Sequence, residues 1–272
     1  MSSAMDDTYE VYAIAYARHE RGAAENFIGG DPHNAPMPLN YYVWVLRNAH
    51  RTVVIDTGFD QRGAKLRGRT ITRPVPEGLK ALDIDPATVT DVIITHMHYD
   101  HAGNDGLFPQ ARFHIQDKEM GFATGRCMCH PGMNHPYEVE DVVAMVRRVF
   151  AGRVQFHDGD STIFPGVSLH HIGGHARGLQ AVRVMTRRGP VLLASDTAHH
   201  YAHLIERRVF PTVDSVADVH AGYDRLHRLA PGIGHIIPGH DPLVTALYPA
   251  PSARLEGWIV RLDADPKSIP GR

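Results

Sequence analysis

The chain has 272 residues and a formal net charge of -2; 43% of its residues are hydrophobic and 21% are charged. This length is ample for a sizeable buried core, and the composition is ordinary for a soluble globular protein. The charge balance gives no basic footprint of the kind that nucleic-acid-binding proteins carry, so we expect no nucleic-acid partner. The unusual count is that of histidine, with 20 residues, because histidine is the commonest metal ligand.

The N-terminal segment 1–9 is short, polar and acidic, without the basic start and apolar centre of a signal peptide. No stretch of the sequence reaches the roughly 18 apolar residues that a membrane helix needs. We therefore expect a cytoplasmic protein without a membrane partner.

The first elements predict antiparallel strands. Residues 11–17 predict a strand, and residues 27–39, rich in Gly, Pro and Asn, predict a long loop. Residues 40–46 and 52–56 predict a hairpin. Asp56 closes its second strand and precedes a Thr-Gly pair, where a turn-forming aspartate is one interpretation.

A short helix is predicted at 76–82, with proline at its start, and a turn at Pro86. The β-branched run at 91–95 then predicts a buried strand. Four potential metal ligands follow within six residues: His96, His98, Asp100 and His101.

The spacing of these four side chains favours a metal site. If the backbone stays extended to His98, His96 and His98 point the same way and can face one ion. Asp100 and His101 follow as the chain turns, so they can face a second ion nearby. Imidazole and carboxylate ligands suit zinc, iron or manganese. The alternative is a surface strand with incidental histidines, which the density of the pattern disfavours.

After this motif, residues 111–116 predict a strand and residues 117–123 a helix. Residues 125–137 have no clear period and contain Cys127 and Cys129. Their spacing strains a disulfide, so we expect two free thiols, with an extra metal site near His130 and His135, redox sensing or substrate contact as alternatives. Residues 139–150 predict a helix. Its apolar stripe is Val142, Val143, Val146 and Val149.

The second half predicts short strands followed by one long helix. The strands are predicted at 154–157, 162–164, 168–172, 181–185 and 191–194. The helix is predicted at 214–229 and is amphipathic. Its apolar face is Val216, Val219, Tyr223, Leu226 and Leu229.

The H-x-H-x-D-H spacing, together with later segments, resembles the metallo-β-lactamase superfamily over about residues 40–245. The later segments end in His175, Asp196 and His240, with His235 as a rival for the last. The resemblance implies an α/β fold, the four-layer αββα sandwich, with the metal site at one edge between the sheets. Strands followed by a helix in both halves agree with this fold.

No Pro/Ser linker interrupts the chain, so we expect a single domain over 1–272, with an insertion at about 117–150 forming part of the substrate pocket wall.

The resemblance also implies a ligand set for two divalent ions. It assigns His96, His98 and His175 to one ion, and Asp100, His101 and His240 to the other. Asp196 would bridge them, and Asp56 would orient a metal-bound imidazole. Zinc is the expected metal, with iron or manganese as alternatives.

Within the superfamily, the chain most resembles the lactonase group, which includes N-acyl homoserine lactonases and pyridoxolactonase. The resemblance implies a binuclear hydrolase that opens a lactone, a cyclic ester, by attack of a metal-bridging hydroxide. Asp196 would hold both ions, and the leaving alkoxide would settle on the second ion or take a proton from Asp100 or a nearby acid.

Two positions depart from the resembled pattern. Leu179 stands where many members carry a second histidine, four residues after His175. His199 stands where the well-known lactonases carry a tyrosine, three residues after the bridging aspartate. We expect His199 to polarise the substrate carbonyl. A surface histidine at the start of a helix is the alternative, and the rivals for this role are His200, Tyr201 and His203.

Candidate substrate contacts are Tyr201 and, on the insertion, Met128 and Tyr137, for which loop packing is the alternative. Other activities stay open: a thioester hydrolase of the glyoxalase II type, which Leu179 disfavours; another ester, amide or phosphodiester hydrolase; and a non-hydrolytic di-iron protein. An inactive binding module is disfavoured because all seven ligand positions are filled. The expected partner is a small-molecule ester or lactone, and the sequence leaves a homodimer open.

Overall fold

The computed structural model describes residues 7–268. Residues 1–6 and 269–272 lie outside the described residues. Residues 1–6 make up most of the N-terminal segment in which we expect no signal peptide. Among residues 7–268, no helix is long and apolar enough to cross a membrane.

Thirteen strands and nine α-helices lie within residues 7–268. The strands are β1 (Glu10–His19), β2 (Leu39–Arg47), β3 (Thr52–Ile55), β4 (Thr70–Ile71), β5 (Asp91–Ile93), β6 (Arg112–Gln116), β7 (Val154–His157), β8 (Ser161–Phe164), β9 (Val167–His171), β10 (Gln180–Thr186), β11 (Gly189–Ser195), β12 (Ile236–Pro238) and β13 (Ile259–Arg261). The helices are α1 (Gln61–Arg67), α2 (Val75–Ala81), α3 (Tyr99–Ala102), α4 (Asp117–Ala123), α5 (Pro131–Asn134), α6 (Val139–Phe150), α7 (Tyr201–Glu206), α8 (Val216–Leu229) and α9 (Leu243–Leu247).

The strands form two sheets. The first has the order β13-β1-β2-β3-β5-β6-β7, with β4 paired to β1, and the second has the order β12-β11-β10-β9-β8. Strands β3, β5, β6 and β7 run parallel to one another, and so do β11 and β12. Parallel neighbours bring their carboxyl ends to the same edge of a sheet, so residues that follow these strands can meet.

The first sheet is buried on both faces. Successive residues of a strand point to opposite faces, so neighbours on β2 enter different buried clusters. Trp44 packs in the cluster between the sheets, together with Val182 and Leu193 of the second sheet. Val45 belongs to a cluster that also contains Leu79 of α2. The second sheet therefore covers one face of the first sheet, and helices cover the other.

Helix α8 covers the outer face of the second sheet. Its buried residues Val219, Tyr223 and Leu226 share a cluster with Ala181 and Leu192 of that sheet. Residues 7–268 thus form helix, sheet, sheet and helix layers, which confirms the predicted αββα sandwich.

The predicted strands, the hairpin and the helices at 76–82, 117–123 and 139–150 are confirmed within a residue or two. Two details are wrong. Asp56 does not close β3, which ends at Ile55, because Asp56 adopts a left-handed backbone with φ of 59°. Val216 is 44% exposed and lies off the buried face, since it is the first residue of α8 and the turn from Val219 onward makes the contact.

The stripe on α6 is also partly different from the prediction. Val142, Val146 and Val149 pack against the first cluster, as predicted. The buried residue of this helix is Met145, which completes the same face at a spacing of three to four residues. Val143 instead lines a surface groove.

Asp141, in the first turn of α6, lies near three other carboxylates: Asp60, Asp105 and Glu138. Burial, followed by repulsion from these groups, raises the pKa of Asp141 to about 7. A carboxyl whose pKa is raised in the folded state destabilises that state once ionised. Stability is therefore lost as pH rises from about 4, the ordinary pKa of aspartate, to about 7.

We expect Asp141→Asn to stabilise the protein at pH 8 by about 1–2 kcal/mol more than at pH 5, after allowance for solvent screening. Urea unfolding of both proteins at both pH values measures this difference. The control is Glu140→Gln, an exposed position in the same turn. An equal effect of Asp141→Asn at the two pH values would contradict the assignment.

Candidate metal centre

The candidate ligands follow strand ends at one edge of the sandwich. His96 and His98 come after β5, Asp196 directly after β11, and His240 after β12. His175 lies in the loop between β9 and β10. Because β11 and β12 are parallel, Asp196 and His240 emerge side by side.

Three imidazoles converge at the first half of the site. Nε2 of His175 lies 3.2 Å from Nε2 of His96 and 2.9 Å from Nδ1 of His98. Burial lowers the pKa of all three imidazoles, which favours their neutral forms. Neutral nitrogens that face one another with lone pairs repel unless a proton or a cation lies between them. This donor set fits a divalent metal ion.

The second half of the site joins Asp100, His101, Asp196 and His240, and one ligand atom from each lies within 4.8 Å of the others. Nε2 of His240 lies 3.0 Å from Oδ1 of Asp196 and 3.6 Å from Oδ2 of Asp100. Nε2 of His101 lies 3.4 Å from the same Oδ1 of Asp196. Two carboxylates and two imidazoles suit a second divalent ion.

Asp196 lies between the two halves. Both of its oxygens lie close to Nε2 of His240, Oδ1 at 3.0 Å and Oδ2 at 3.1 Å. Oδ1 is also 3.4 Å from Nε2 of His101, and Oδ2 is 3.4 Å from Nε2 of His175. Burial alone would raise the pKa of Asp196, but the imidazoles around it, His240 foremost, hold that pKa well below its usual range. The carboxylate is therefore an anion that reaches both sets of imidazoles.

Glycine at position 239 makes room for this carboxylate. A Cβ at Gly239 would lie 2.4 Å from Oδ1 of Asp196, closer than any real contact. The Pro-Gly-His segment can thus approach the end of β11 only with glycine at this position.

Three acceptors outside the site fix the tautomers of ligand histidines, because an Nδ1–H that donates outward leaves Nε2 free to bind a metal. The acceptors are Oδ2 of Asp56 for His101 at 2.7 Å, the carbonyl of Thr212 for His175 at 2.6 Å, and the carbonyl of Asn40 for His240 at 2.9 Å.

Asp56 joins β3 to the histidine motif. Besides His101, its buried carboxylate accepts hydrogen bonds from the backbone N–H of Thr95 at 2.7 Å and from the Thr95 hydroxyl at 2.8 Å. Left-handed backbone at a non-glycine residue costs of order 1 kcal/mol and is often found at functional sites. Here the left-handed backbone of Asp56 directs its carboxylate at the imidazole of His101.

His199 is buried at the site and does not lie on the surface. It is 7% exposed, and its ring stacks on Phe210 at 3.7 Å between ring centres. Its Nε2 lies 3.1 Å from Oδ2 of Asp196 without hydrogen-bond geometry, and within residues 7–268 neither ring nitrogen has a hydrogen-bond partner. Burial lowers the pKa of His199, so a neutral ring with one N–H faces the carboxylate region.

The rivals of His199 bond to the scaffold. Nε2 of His200 lies 3.2 Å from the carbonyl of Pro38, and Nε2 of His203 lies 3.0 Å from the carbonyl of Asn26. Tyr201 is 1% exposed and belongs to the core between the sheets, which argues against a substrate contact.

His235, the rival of His240, points elsewhere, since its Nδ1 lies 2.7 Å from the carbonyl of Pro190.

Tyr137, which lies between α5 and α6, contacts the site. The rings of Tyr137 and His98 meet edge to face, with centres 4.7 Å apart. Met128 lies farther out and lines a surface groove together with Tyr137. Cys127 and Cys129 are free thiols, and the metal-holding clusters found among residues 7–268 do not include them.

Sequence reasoning missed several residues that shape the site. Thr212 and Asn40 act through backbone carbonyls, which every residue type carries, so their identity holds no signal. Phe210 is one of 9 phenylalanines, and only the fold places it on His199. Glu119 is one of two acidic residues in the first turn of an ordinary helical segment, yet it is buried beside the ligand loops.

The family model described as the metallo-beta-lactamase superfamily matches residues 36–240, well over half of the sequence. Together with the four-layer fold and the clusters of candidate ligands, this match shows that the chain belongs to the metallo-beta-lactamase superfamily.

Two curated relatives are N-acyl homoserine lactonases. The chain is 30% identical over 178 residues to AttM of Azorhizobium caulinodans, and this alignment covers 60% of this chain and 62% of that protein. It is 28% identical over 182 residues to AiiB of Rhizobium rhizogenes, and this alignment covers 60% of this chain and 64% of that protein. Both alignments span less than two thirds of the relative's length.

Solved structures share the fold. A quorum-quenching N-acyl homoserine lactone lactonase aligns with a TM-score of 0.72 at 22% identity, over 87% of this chain and 94% of that one. AidC, a dizinc quorum-quenching lactonase, aligns with a TM-score of 0.66 at 14% identity, over 85% and 86% of the two chains.

We expect Asp56→Asn to weaken metal binding about 10–100-fold, because an amide NH2 facing Nδ1–H no longer holds the His101 ring. Zinc affinity is measured by competition with a chromophoric chelator. The matched control is Asp83→Asn, an exposed aspartate with nearly the same backbone, φ of 58° against 59°. Equal zinc affinities for Asp56→Asn and the control would reduce Asp56 to a turn residue.

Proposed function

We propose that this chain is a metal-dependent hydrolase that opens a lactone ring, with two zinc ions. One ion is held by His96, His98 and His175, and the other by Asp100, His101 and His240, with Asp196 shared between them. The observation that carries the proposal is the position of the Asp196 carboxylate, which lies within 3.4 Å of imidazole nitrogens from both sets, His101 and His240 on one side and His175 on the other.

Two bound divalent ions supply a water of lowered pKa and polarise the carbonyl oxygen of an ester. The chain's own residues orient the reacting groups. Asp196 and the outward-bonded histidines hold a rigid donor set, since Asp56 and the carbonyls of Thr212 and Asn40 fix the ring positions. Such preorganisation is the main contribution a protein makes at this kind of site.

We assign to His199 the role of hydrogen-bond donor to the substrate carbonyl oxygen. The stack on Phe210 fixes its ring plane, and within residues 7–268 neither ring nitrogen has a partner with hydrogen-bond geometry, with Nε2 3.1 Å from Oδ2 of Asp196. When water adds to the lactone carbon, the carbonyl oxygen becomes an oxyanion that can accept the imidazole N–H. Collapse of this adduct breaks the ring C–O bond, and the alkoxide takes a proton to give a hydroxy acid. Asp100, 8% exposed at the second cluster, is the proposed proton carrier: its carboxylate takes the proton that the attacking water loses and returns it to the alkoxide.

The ester class is supported by the relatives and by one buried side chain. Both relatives described above carry the name N-acyl homoserine lactonase. Leu179 is fully buried in the loop that carries His175, so no additional imidazole is available at this position. This disfavours the thioesterase-like pattern that has a second histidine there.

The test is metal analysis of the purified protein combined with a four-substrate panel: a homoserine lactone, an aromatic lactone, a lactoylglutathione thioester and a phosphodiester. We expect two zinc ions per chain and fastest turnover on a lactone. Rapid cleavage of the thioester or the phosphodiester, with both lactones inert, would refute the lactone assignment while leaving a binuclear hydrolase.

We expect Asp196→Ala to abolish lactone turnover and to lower the zinc content, because the buried imidazoles then lack the anion shared by both clusters. Zinc is counted by elemental analysis after dialysis, and turnover is measured on the best lactone of the panel. A variant that retains two tightly bound ions and full activity would show that the ligand assignment is wrong.

We expect His199→Ala to slow turnover by about 10–100-fold with the zinc content unchanged. Loss of one oxyanion donor usually costs about 100–1000-fold, but two cations would share the work here. His203→Gln is the matched control, since His203 bonds to the Asn26 carbonyl and does not face Asp196. If His199→Ala turns over as fast as the wild type, the polarising group is another residue.

A further inference from the structure

Glu119, in the first turn of α4, is a fully buried carboxylate with three hydrogen-bond donors. Its Oε1 accepts from the backbone N–H of Met97 at 2.8 Å and from the hydroxyl of Tyr137 at 3.0 Å. Its Oε2 accepts from the backbone N–H of Gly178 at 2.9 Å. Its exposed fraction is 0%. One side chain thus joins three segments that are distant in the sequence.

Two of these segments carry the ligands of the first candidate ion. Met97 lies between His96 and His98, so its N–H belongs to the backbone that holds both imidazoles. Gly178 lies three residues after His175. The carboxylate of Glu119 is therefore a direct link between the two ligand loops, with one oxygen on each.

The approach of the His175 loop to α4 requires glycine at position 178. A Cβ on Gly178 would lie 2.2 Å from the backbone nitrogen of Glu119 and 2.3 Å from its Cβ. The helix and the loop are thus in direct backbone contact where the Oε2 bond forms. This packing leaves the loop little freedom to compensate if the carboxylate is changed.

The third segment carries Tyr137. The hydroxyl of Tyr137 donates to Glu119, while its ring meets the ring of His98 edge to face. The backbones of residues 98 and 137 also pair in an isolated β-bridge. Glu119 therefore holds a side chain that lies against a candidate metal ligand.

Burying a carboxylate is unfavourable unless donors surround it. Burial raises the pKa of Glu119, and the three donors, Met97 first, oppose that rise. All three donors are neutral groups, so the arrangement depends on hydrogen-bond geometry and not on a salt bridge. A neutral amide of the same shape cannot reproduce it, because it has one acceptor oxygen where the carboxylate has two.

We propose that Glu119 is a positioning residue of the metal centre: its carboxylate sets the spacing of the His96–His98 and His175 loops and holds Tyr137 against His98. This inference rests on the metal role proposed above for the three histidines. It does not depend on the substrate, so failure of the lactone assignment leaves it intact.

The first test is Glu119→Gln, with Co²⁺ alone as the probe. If the amide oxygen keeps the Met97 bond, the NH2 group faces the Gly178 N–H, and the two donors repel. Loss of a group that orients metal ligands typically weakens affinity about 10–100-fold. We expect Co²⁺ titration of the metal-free protein to show this loss together with a changed visible absorption band, which reports ligand geometry.

Two further variants keep the test decisive. Asp117→Asn removes an exposed carboxylate from the same turn of α4 and is expected to leave Co²⁺ affinity and spectrum unchanged. Tyr137→Phe removes one donor but keeps the ring and the carboxylate. We expect it to change the Co²⁺ spectrum and to weaken affinity less than Glu119→Gln does.

Wild-type affinity and spectrum in both Glu119→Gln and Tyr137→Phe would overturn the proposal. The proposal would also be overturned if Glu119→Gln loses its far-ultraviolet circular dichroism while Tyr137→Phe keeps the wild-type Co²⁺ absorption spectrum. Glu119 would then support only the fold. If Asp117→Asn weakens Co²⁺ binding as much as Glu119→Gln, general loss of charge explains the effect and the proposal also fails.

Discussion

Repulsion among buried lone pairs is the constraint on which the site depends. Five imidazoles and two carboxylates share a space between the sheets that water hardly reaches. Burial lowers the pKa of His96 and His98, so each of these rings is neutral and keeps one nitrogen with a free lone pair. Divalent cations are the counterpart that such a donor set requires, and their binding adds to the stability of the fold.

Several elements of the scaffold hold the ligand side chains in their orientations. Asp56 at the end of β3, the Asn40 carbonyl on β2 and the Thr212 carbonyl before α8 each accept the outward N–H of one histidine. Glu119 on α4 adds a link between the loops of the first cluster. The ligand rings are therefore held at the edge where the two sheets and their helices meet. Their orientation is set there by acceptors that are not themselves candidate metal ligands.

The surroundings of the ligands decide which chemistry the site serves. His199 and Phe210 stack beside Asp196, where an imidazole N–H can meet developing charge. Tyr137 packs edge to face against His98. These side chains are not among the candidate ligands, and the superfamily fold by itself does not name a substrate.

The sequence by itself determined the strands and the main helices, because these depend on local patterns. Alternation of apolar residues predicted β2, the dense spacing after β5 predicted His96, His98, Asp100 and His101 as ligands, and the family resemblance added His175, Asp196 and His240. Only the tertiary structure decided that His199 is buried at the site and Tyr201 in the core, and that Glu119 joins the loops. The physical reason is that these roles depend on distances between residues far apart in the chain. Several also involve backbone carbonyls, such as those of Thr212 and Asn40, whose partners are chosen by the packing of the sheets and not by residue type.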